Sequence, residues 1–177
     1  SVFVIFYDKG NDSAETGRLE MMRGEGELSS IFSAVAEGDL DGVYYTYEVH
    51  TPDGVFCSHD PYAKACGVNG HRSMVIDLAK TNPYGFANED RPKLADPMSM
   101  VITEVSIADV SAAASAHSLY PGKFKAFTED KIISYFKDMG VTHLQLMPSY
   151  DFASIDESDT LKEQYNWGYD PYNYNVP

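Results

Sequence analysis

The chain has 177 residues, which is enough for one domain or two small ones. It carries 27 acidic residues against 13 basic ones, a formal charge of −14 that disfavours nucleic acid as a partner because the phosphate backbone is itself negative. Hydrophobic residues make up 44% of the chain and charged residues 23%, as in folded globular proteins, and the lack of a long apolar run argues against a membrane-spanning helix.

The first half of the chain is predicted to form short antiparallel strands separated by turns. Residues 1–7 are a continuous β-branched and aromatic run, which the turn-forming residues 8–12 close. Further strands are predicted at residues 18–22, 31–35 and 43–49. A Pro-Asp-Gly sequence at 52–54 is typical of a tight hairpin turn. Short strands at this spacing favour an antiparallel β-sandwich.

A polar connector rich in proline follows the predicted strands. It includes the Asn82-Pro83-Tyr84-Gly85 sequence, residues 89–93 (Glu-Asp-Arg-Pro-Lys) and Pro97. We therefore place a domain boundary in this connector, with one domain at residues 1–95 and a second at residues 96–177.

The second half is predicted to form a strand, a helix and a second strand. Residues 98–107 and 141–147 are apolar runs typical of strands, and residues 128–139 are predicted to be helical. Thr128 is the predicted N-cap and Gly140 the predicted stop. This order indicates a parallel crossover unit of an α/β fold, with a long connection at residues 109–127.

One apolar face of the predicted helix is expected to be buried. Its members recur at helical spacing: Ile132, Ile133, Phe136 and Met139.

The polar residues give no signature of a metal centre or a nucleophile. The histidines are scattered without zinc-ligand spacing and are expected to be structural: His50, His59, His71, His117 and His143. Cys57 and Cys66 fit either a bridge across a turn or two free thiols, and the N-terminus has no signal-peptide pattern, so the compartment stays open between extracellular and cytoplasmic.

An acidic stretch follows the second crossover strand. Its carboxylates are Asp151, Asp156, Glu157 and Asp159. We expect a solvated loop there, because the ordered spacing and glycine of a helix-loop-helix calcium site are missing. Calcium is chemically possible but is not assignable to particular residues, and we assign no cofactor.

The last fourteen residues are the most informative part of the chain. Residues 164–177 contain four tyrosines, three asparagines and the only tryptophan. Flat aromatic rings suit the C–H face of a sugar, while Asn and Asp pair with its hydroxyls. Carbohydrate binding and an ordinary packed tyrosine-rich loop both fit this composition.

Several motifs in the second half resemble those of type I pullulanases, debranching enzymes of the alpha-amylase family of glycoside hydrolases. They are GVTHLQLMP at 140–148, DFAS at 151–154, YNWGYDP at 165–171 and NYNVP at 173–177. Upstream, DPYAKA at 60–65, VNG at 68–70 and residues 77–83 are similar to the join between the sandwich and the barrel of that family. The likeness therefore spans most of the chain.

The resemblance implies a fold of two parts, incomplete at both ends. The first is an immunoglobulin-like β-sandwich of the starch-binding-module type, and the second is the first strand–helix units of a (β/α)8 TIM barrel. It also implies retaining hydrolysis of α-1,6-glucosidic branch points in pullulan, amylopectin or glycogen-derived dextrins. The partners it implies are an α-glucan and the remainder of the same enzyme.

The resemblance also implies roles for three residues. Tyr169 follows Trp-Gly in the motif and is expected to stack beneath the sugar at the cleavage point, while Trp167 and Asp170 are expected to shape the same wall of the cleft. The catalytic acids of the family lie on later barrel strands, so none is expected in this chain, and residues 1–177 alone are expected to be inactive. In the first barrel strand only Glu104 and Asp109 match the family's pattern.

An alternative from another class is a non-catalytic α-glucan-binding module. In that interpretation the predicted sandwich makes the sugar contact through its aromatic residues, Tyr44, Tyr45, Tyr47 and Phe56. Their period-two spacing is also typical of a strand with one buried and one wet face.

Overall fold

The computed structural model describes residues 1–90, 92–159 and 161–176. The chain divides into two compact units, one formed by Ser1–Pro83 with the segment that follows Ser149, and the other by Tyr84–Ser149. The predicted boundary between residues 95 and 96 falls inside the second unit, and the division into domains at 1–95 and 96–177 stays a prediction. Arg91 of the predicted connector and Pro177 of the terminal motif lie outside the described residues.

An antiparallel sheet of six strands makes up most of the first unit in the described part of the chain. The strands are β1 (Val2–Tyr7), β2 (Glu15–Arg23), β3 (Phe32–Ser33), β4 (Tyr44–Thr51), β5 (Gly54–Ser58) and β6 (Ser73–Met74). Their order is β3-β2-β1-β4-β5, with β6 also paired to β4. β4 and β5 are joined by a tight turn with Thr51 opposite Gly54, which confirms the predicted hairpin.

The predicted strands are present with changed lengths. β2 is longer than the predicted 18–22, because it pairs with β1 from Glu15 to Met21. β3 is shorter than the predicted 31–35, because only Phe32 and Ser33 find partners on β2.

Both faces of the sheet are apolar where β1 crosses it. On one face Ile5 is buried beside Thr46, its partner on β4, and the Tyr7 hydroxyl lies 3.2 Å from Thr46 Oγ1. The opposite face has a depression of about 270 Å³ whose lining includes Val4 and Phe6. A strand with apolar side chains on both faces reads as a continuous hydrophobic run, which explains the SVFVIFY sequence.

The second unit contains the predicted strand–helix–strand order. Its elements are β7 (Ile102–Val105), α1 (Ile107–Ala112), α2 (Asp130–Asp138) and β8 (His143–Leu146). β7 and β8 pair in parallel, with Ile102 opposite His143 and Val105 opposite Leu146, so the predicted parallel crossover is confirmed. Val105, Ile132 and Phe136 form its buried core, against which Val110, Ala116, Phe127 and Val141 pack.

The two ends of α2 differ in how well the sequence predicts them. Gly140 adopts φ +75°, and its N–H donates to Lys137 O at 2.9 Å, so the predicted stop is confirmed. The predicted N-cap is wrong: Thr128 ends a 3₁₀ turn and donates its hydroxyl to Lys125 O, and Glu129 takes the cap position. Thr128 can bond back to its own turn, which competes with capping the next helix.

The apolar face of α2 is narrower than predicted. Ile132 and Phe136 are buried, whereas Ile133 is 37% exposed and Met139 is 50% exposed. Met139 is the C-cap residue at the end of the last turn, which leaves it at the rim of the core.

The rest of the regular structure is short. Two strands, β9 (Asp151–Phe152) and β10 (Pro171–Asn173), pair antiparallel within the first unit. The 3₁₀ turns are Gly26–Leu28, Val68–Gly70, Leu78–Thr81, Phe86–Asn88, Pro97–Ser99, Ala114–Ala116 and Phe124–Thr128. The described chain is therefore a mostly-sheet fold with few helices, and no helix within it has the length and apolarity needed to cross a membrane.

Replacing Phe136 by Ala is expected to destabilise the second unit by about 3–4 kcal/mol, because the substitution removes a buried ring from a small core and leaves a cavity. Tyr135→Ala is the matched control, since Tyr135 is also aromatic and on α2 but is 57% exposed. We expect that control to cost under about 1 kcal/mol. Denaturant unfolding of the intact protein measures both changes, and equal losses for the two variants would contradict the assigned core.

Candidate functional site

The loop between β9 and β10 carries three exposed aromatic side chains. Tyr165 is 61% exposed, Trp167 64% and Tyr169 62%. Together with Ser154, Asn166 and Asp170 they line an open depression of about 390 Å³. Large exposed rings grouped around one concavity are typical of a binding surface rather than of a core.

The base of this loop is closed by backbone pairing. Asn173 on β10 lies opposite Asp151 on β9, and Ala153 N–H donates to Asp170 O at 2.9 Å. Asp151 N–H donates to Val176 O at 2.7 Å, and the Val176 side chain is only 2% exposed. The two ends of the loop are therefore fixed, while the rings lie on its outer part.

A compact polar network holds the part of the loop that carries the rings. The Asp170 carboxylate accepts hydrogen bonds from Ser154 N–H at 3.1 Å and from the Asn166 side-chain amide. The Asn166 amide also donates to Ser154 Oγ at 2.6 Å, and its carbonyl oxygen accepts from Gly168 N–H. The hydrogen bonds from Ser154 and then Asn166 lower the pKa of Asp170 below its ordinary value, so Asp170 is a carboxylate at neutral pH.

All three residues singled out in the sequence therefore lie around one depression. Trp167 and Tyr169 present exposed rings to it, whereas the Asp170 carboxylate bonds to Ser154 and Asn166 of its own loop. Ser154 and Asn166 were not singled out in the sequence. Asn side chains often bond backbone two residues further on, so the Asn-Trp-Gly order was the available signal for Asn166.

A buried contact connects this loop to the Val68–Gly70 turn of the same unit. The Asn173 amide donates to Asp151 Oδ2 at 2.7 Å and to Gly70 O at 3.0 Å. Gly70 has φ +67°, and a Cβ there would lie 2.0 Å from Asp151 Oδ2, so no larger residue fits.

The expectation of one solvated acidic loop is accordingly wrong for Asp151, which is only 5% exposed. Asn173 and Gly70 are distant in sequence from Asp151, and the buried pairing was not visible from the acidic run alone.

The other acidic residues of the stretch are exposed, as expected. Asp156 and Glu157 bond to Asn69 of the Val68–Gly70 turn. Within residues 1–90, 92–159 and 161–176, no group of three or more His, Cys, Asp or Glu is placed to hold a metal ion.

Near this region, two histidines contact an aromatic ring, and the two cysteines are not bridged. The Tyr172 ring lies 4.7 Å from the His59 ring and 5.8 Å from the His71 ring, measured between centroids. Cys57 and Cys66 are both free thiols. Burial, with the nearby charges of Asp151 and Glu157, raises the pKa of Cys66 to about 12, so that thiol is not a nucleophile at neutral pH.

Two tyrosines of β4 direct their hydroxyl groups to the same carboxylate. Tyr45 OH donates to Asp60 Oδ2 at 2.8 Å, and Tyr47 OH lies 3.4 Å from the same oxygen. Burial raises the pKa of both tyrosines, which keeps them protonated as donors. Phe56 is 56% exposed, so of these three rings it is the one most open to solvent.

Comparison with known proteins finds pullulanases among the relatives that match most of the chain, although no family model matches it. A pullulanase of Bacillus subtilis (strain 168) is 30% identical over 156 residues, 83% of this chain and 21% of the relative. Pullulanase A of Streptococcus pneumoniae is 29% identical over 201 aligned positions, 98% of this chain and 16% of the relative. The chain therefore spans about a fifth of the length of these curated relatives.

Solved structures give the same result. The apo pullulanase of Paenibacillus barengoltzii superimposes with a TM-score of 0.91 at 36% identity, over 99% of this chain and 28% of that one. That enzyme has also been crystallised with maltohexaose and alpha-cyclodextrin.

Asp170→Asn is expected to lower the melting temperature of the intact protein at pH 6 and to lower it less near pH 3. The pKa of Asp170 is lowered in the folded state, so its stabilising contribution is full above the unfolded value of about 3.9 and is lost as the pH falls through the folded value. Calorimetry at both pH values measures the difference. Asp8→Asn, on the exposed turn after β1, makes the same charge change elsewhere, and an equal pH dependence for the two variants would count against the network.

Proposed function

This chain is a relative of pullulanases by sequence and fold, and we propose that it forms part of an enzyme that hydrolyses α-1,6-glucosidic branch points in pullulan, amylopectin or glycogen-derived dextrins. The observation that carries the proposal is the group of three exposed rings around one open depression, on the YNWGYDP motif. Its partners are an α-glucan and the remainder of the same enzyme.

The proposal gives each unit of the fold a place in the enzyme. The antiparallel sheet of β1 to β6 is part of an immunoglobulin-like sandwich of the starch-binding-module type. The parallel pair of β7 and β8, joined through α1 and α2, is the first strand–helix unit of a (β/α)8 barrel. A parallel pair with a helical crossover and two apolar strands supports this assignment.

The exposed rings supply the sugar-binding surface in this proposal. Tyr169 stacks beneath the sugar at the cleavage point, and Trp167 forms the adjoining wall. Because an aromatic face complements the C–H groups of a pyranose, such stacking holds the ring in place for attack. Asp170 contributes by keeping the loop in shape, since its carboxylate accepts from Ser154 N–H and Asn166.

The chemistry is retaining hydrolysis by two carboxyl groups of the remaining enzyme. One carboxylate attacks the anomeric carbon while a carboxylic acid protonates the departing oxygen, and a covalent glycosyl-enzyme forms. Water then attacks the same carbon, giving its proton to the second group and releasing the first carboxylate. This chain supplies binding residues and none of those acids, so residues 1–177 alone have no activity.

The bond specificity is tested with the intact enzyme on pullulan and on linear amylose. We expect new reducing ends from pullulan and none from amylose, which has only α-1,4 bonds. Cleavage of amylose alone would overturn the assignment. Retardation in a glycogen gel without hydrolysis of either glucan would favour a non-catalytic α-glucan-binding module.

Tyr169→Ala in the intact enzyme is expected to lower kcat on pullulan by at least tenfold, or about 1.4 kcal/mol in the activation barrier, because the stacking surface is lost. Tyr169→Phe keeps the ring and is expected to retain most of the activity. Steady-state kinetics on pullulan measure both.

Tyr62→Ala is the control for removing an exposed tyrosine, because Tyr62 is 85% exposed and lies outside the loop. We expect its kinetics to match those of the unmodified enzyme. Unchanged turnover by Tyr169→Ala would remove Tyr169 from the site.

A further inference from the structure

We propose that Asn69, on the Val68–Gly70 turn of the first unit, is a positioning residue that holds the aromatic loop, the segment between β9 and β10 with Tyr165, Trp167 and Tyr169, in its binding-competent arrangement. The inference rests on the proposed function for its kinetic consequence. It gives the Val68–Gly70 turn a definite role in the site, as a support for the loop rather than as a second sugar-binding surface.

Asn69 makes a two-way contact with the acidic part of the loop. Its backbone N–H donates to Glu157 Oε2 at 2.8 Å, and its side-chain amide donates to Asp156 Oδ1 at 3.0 Å. In return, Glu157 N–H donates to Asn69 Oδ1 at 2.7 Å. Both groups of the side-chain amide are therefore used, one as a donor and one as an acceptor.

The contact continues from Asp156 to the segment that carries the rings. Asp156 N–H donates to Gln164 Oε1 at 2.9 Å, and Gln164 Nε2 donates to Asp156 O at 2.9 Å. Gln164 directly precedes Tyr165, the first of the exposed rings. A path of hydrogen bonds thus leads from the Val68–Gly70 turn to Gln164, the residue that precedes the first exposed ring.

Polar contacts dominate this attachment because the loop and the turn are not closely packed there. A cavity of about 280 Å³ lies in this region, lined by residues that include Asn69, Phe152, Asp156 and Gln164. With open space instead of dense side-chain packing, few apolar contacts are available to hold this side of the loop. The hydrogen bonds of Asn69 therefore provide much of what holds this side of the loop in place.

The charge of the loop explains why an amide suits this position. Asp156 and Glu157 are adjacent carboxylates, and the two N–H donors of Asn69 reach both of them. Hydrogen bonds from Ser158 and from Asn69 lower the pKa of Asp156, so the acceptor is charged at neutral pH. Asn69 also has φ +59°, a conformation that Asn adopts more readily than most residues.

The test is Asn69→Gly in the intact enzyme, because Gly keeps the left-handed backbone and removes only the side-chain bonds. We expect KM for pullulan to rise roughly tenfold with kcat nearly unchanged, since a loop that is less often in place weakens apparent binding while saturating substrate restores it. A general loss of folded enzyme would instead lower kcat and leave KM unchanged.

Two further variants separate positioning from simple space filling. Asn69→Asp has nearly the same shape but brings a third carboxylate to Asp156 and Glu157, so we expect a larger rise in KM than for Asn69→Gly. If the Asn69 side chain only filled space, Asn69→Asp would instead raise KM less than Asn69→Gly. Gln164→Ala cuts the path at its other end and is expected to raise KM as Asn69→Gly does.

Asp12→Gly is the matched control, because Asp12 also has a positive φ, of 44°, in a turn of the same unit. We expect it to leave kcat and KM unchanged.

Hydrogen–deuterium exchange supplies a readout that does not depend on activity. We expect Asn69→Gly to speed exchange in residues 153–170 and to leave β4 (Tyr44–Thr51) as protected as in the unmodified protein. If the unmodified enzyme fails to cleave pullulan, the proposed function fails, and this exchange difference still decides the role of Asn69. Unchanged exchange in the loop, or an unchanged KM in an active enzyme, overturns the inference.

Discussion

The arrangement of the first unit depends on a buried hydrogen-bonded contact among Gly70, Asp151 and Asn173. The Asn173 amide donates hydrogen bonds to both the Asp151 carboxylate and the Gly70 carbonyl. The three groups are so close that a Cβ on residue 70 would collide with Asp151. A buried carboxylate oxygen is costly without a hydrogen bond, so the donation from the Asn173 amide to Asp151 Oδ2 stabilises this arrangement. Through this contact the ends of the aromatic loop are fixed to the Val68–Gly70 turn, which lies between β5 and β6.

The aromatic loop has its polar groups directed inward and its rings directed outward. Asn166, Ser154 and Asp170 satisfy one another, while Trp167 and Tyr169 stay more than half exposed. Exposing such rings forgoes the free energy of burying them, and a preorganised binding surface is one way in which that loss is recovered on binding. The tyrosines of the sheet differ from those of the loop, because the Tyr45 and Tyr47 hydroxyls are directed to Asp60.

Local patterns predicted much of the fold. The apolar run of β1, the Pro-Asp-Gly hairpin and the Gly140 stop all follow from short-range rules, and the parallel pairing of β7 and β8 followed from element order. Trp167, Tyr169 and Asp170 were found through their motif. The contacts of Asn69 and Gly70 with residues about 80 to 100 positions later were not predictable, because no local rule fixes a long-range partner. The capping role of Thr128 failed for a related reason, since its hydroxyl had a nearer partner in Lys125 O.

The discontinuous first unit has a consequence for how the chain folds as it leaves the ribosome. The strands of its sheet are synthesised first, yet Asp151 and Asn173 emerge only after the whole of Tyr84–Ser149. The second unit can therefore form its two α-helices and its parallel strand pair while the first still lacks its closing segment. Until that segment arrives, the Gly70 carbonyl oxygen lacks the Asn173 amide that donates to it, so completion of the first unit is a late, long-range step in biosynthesis.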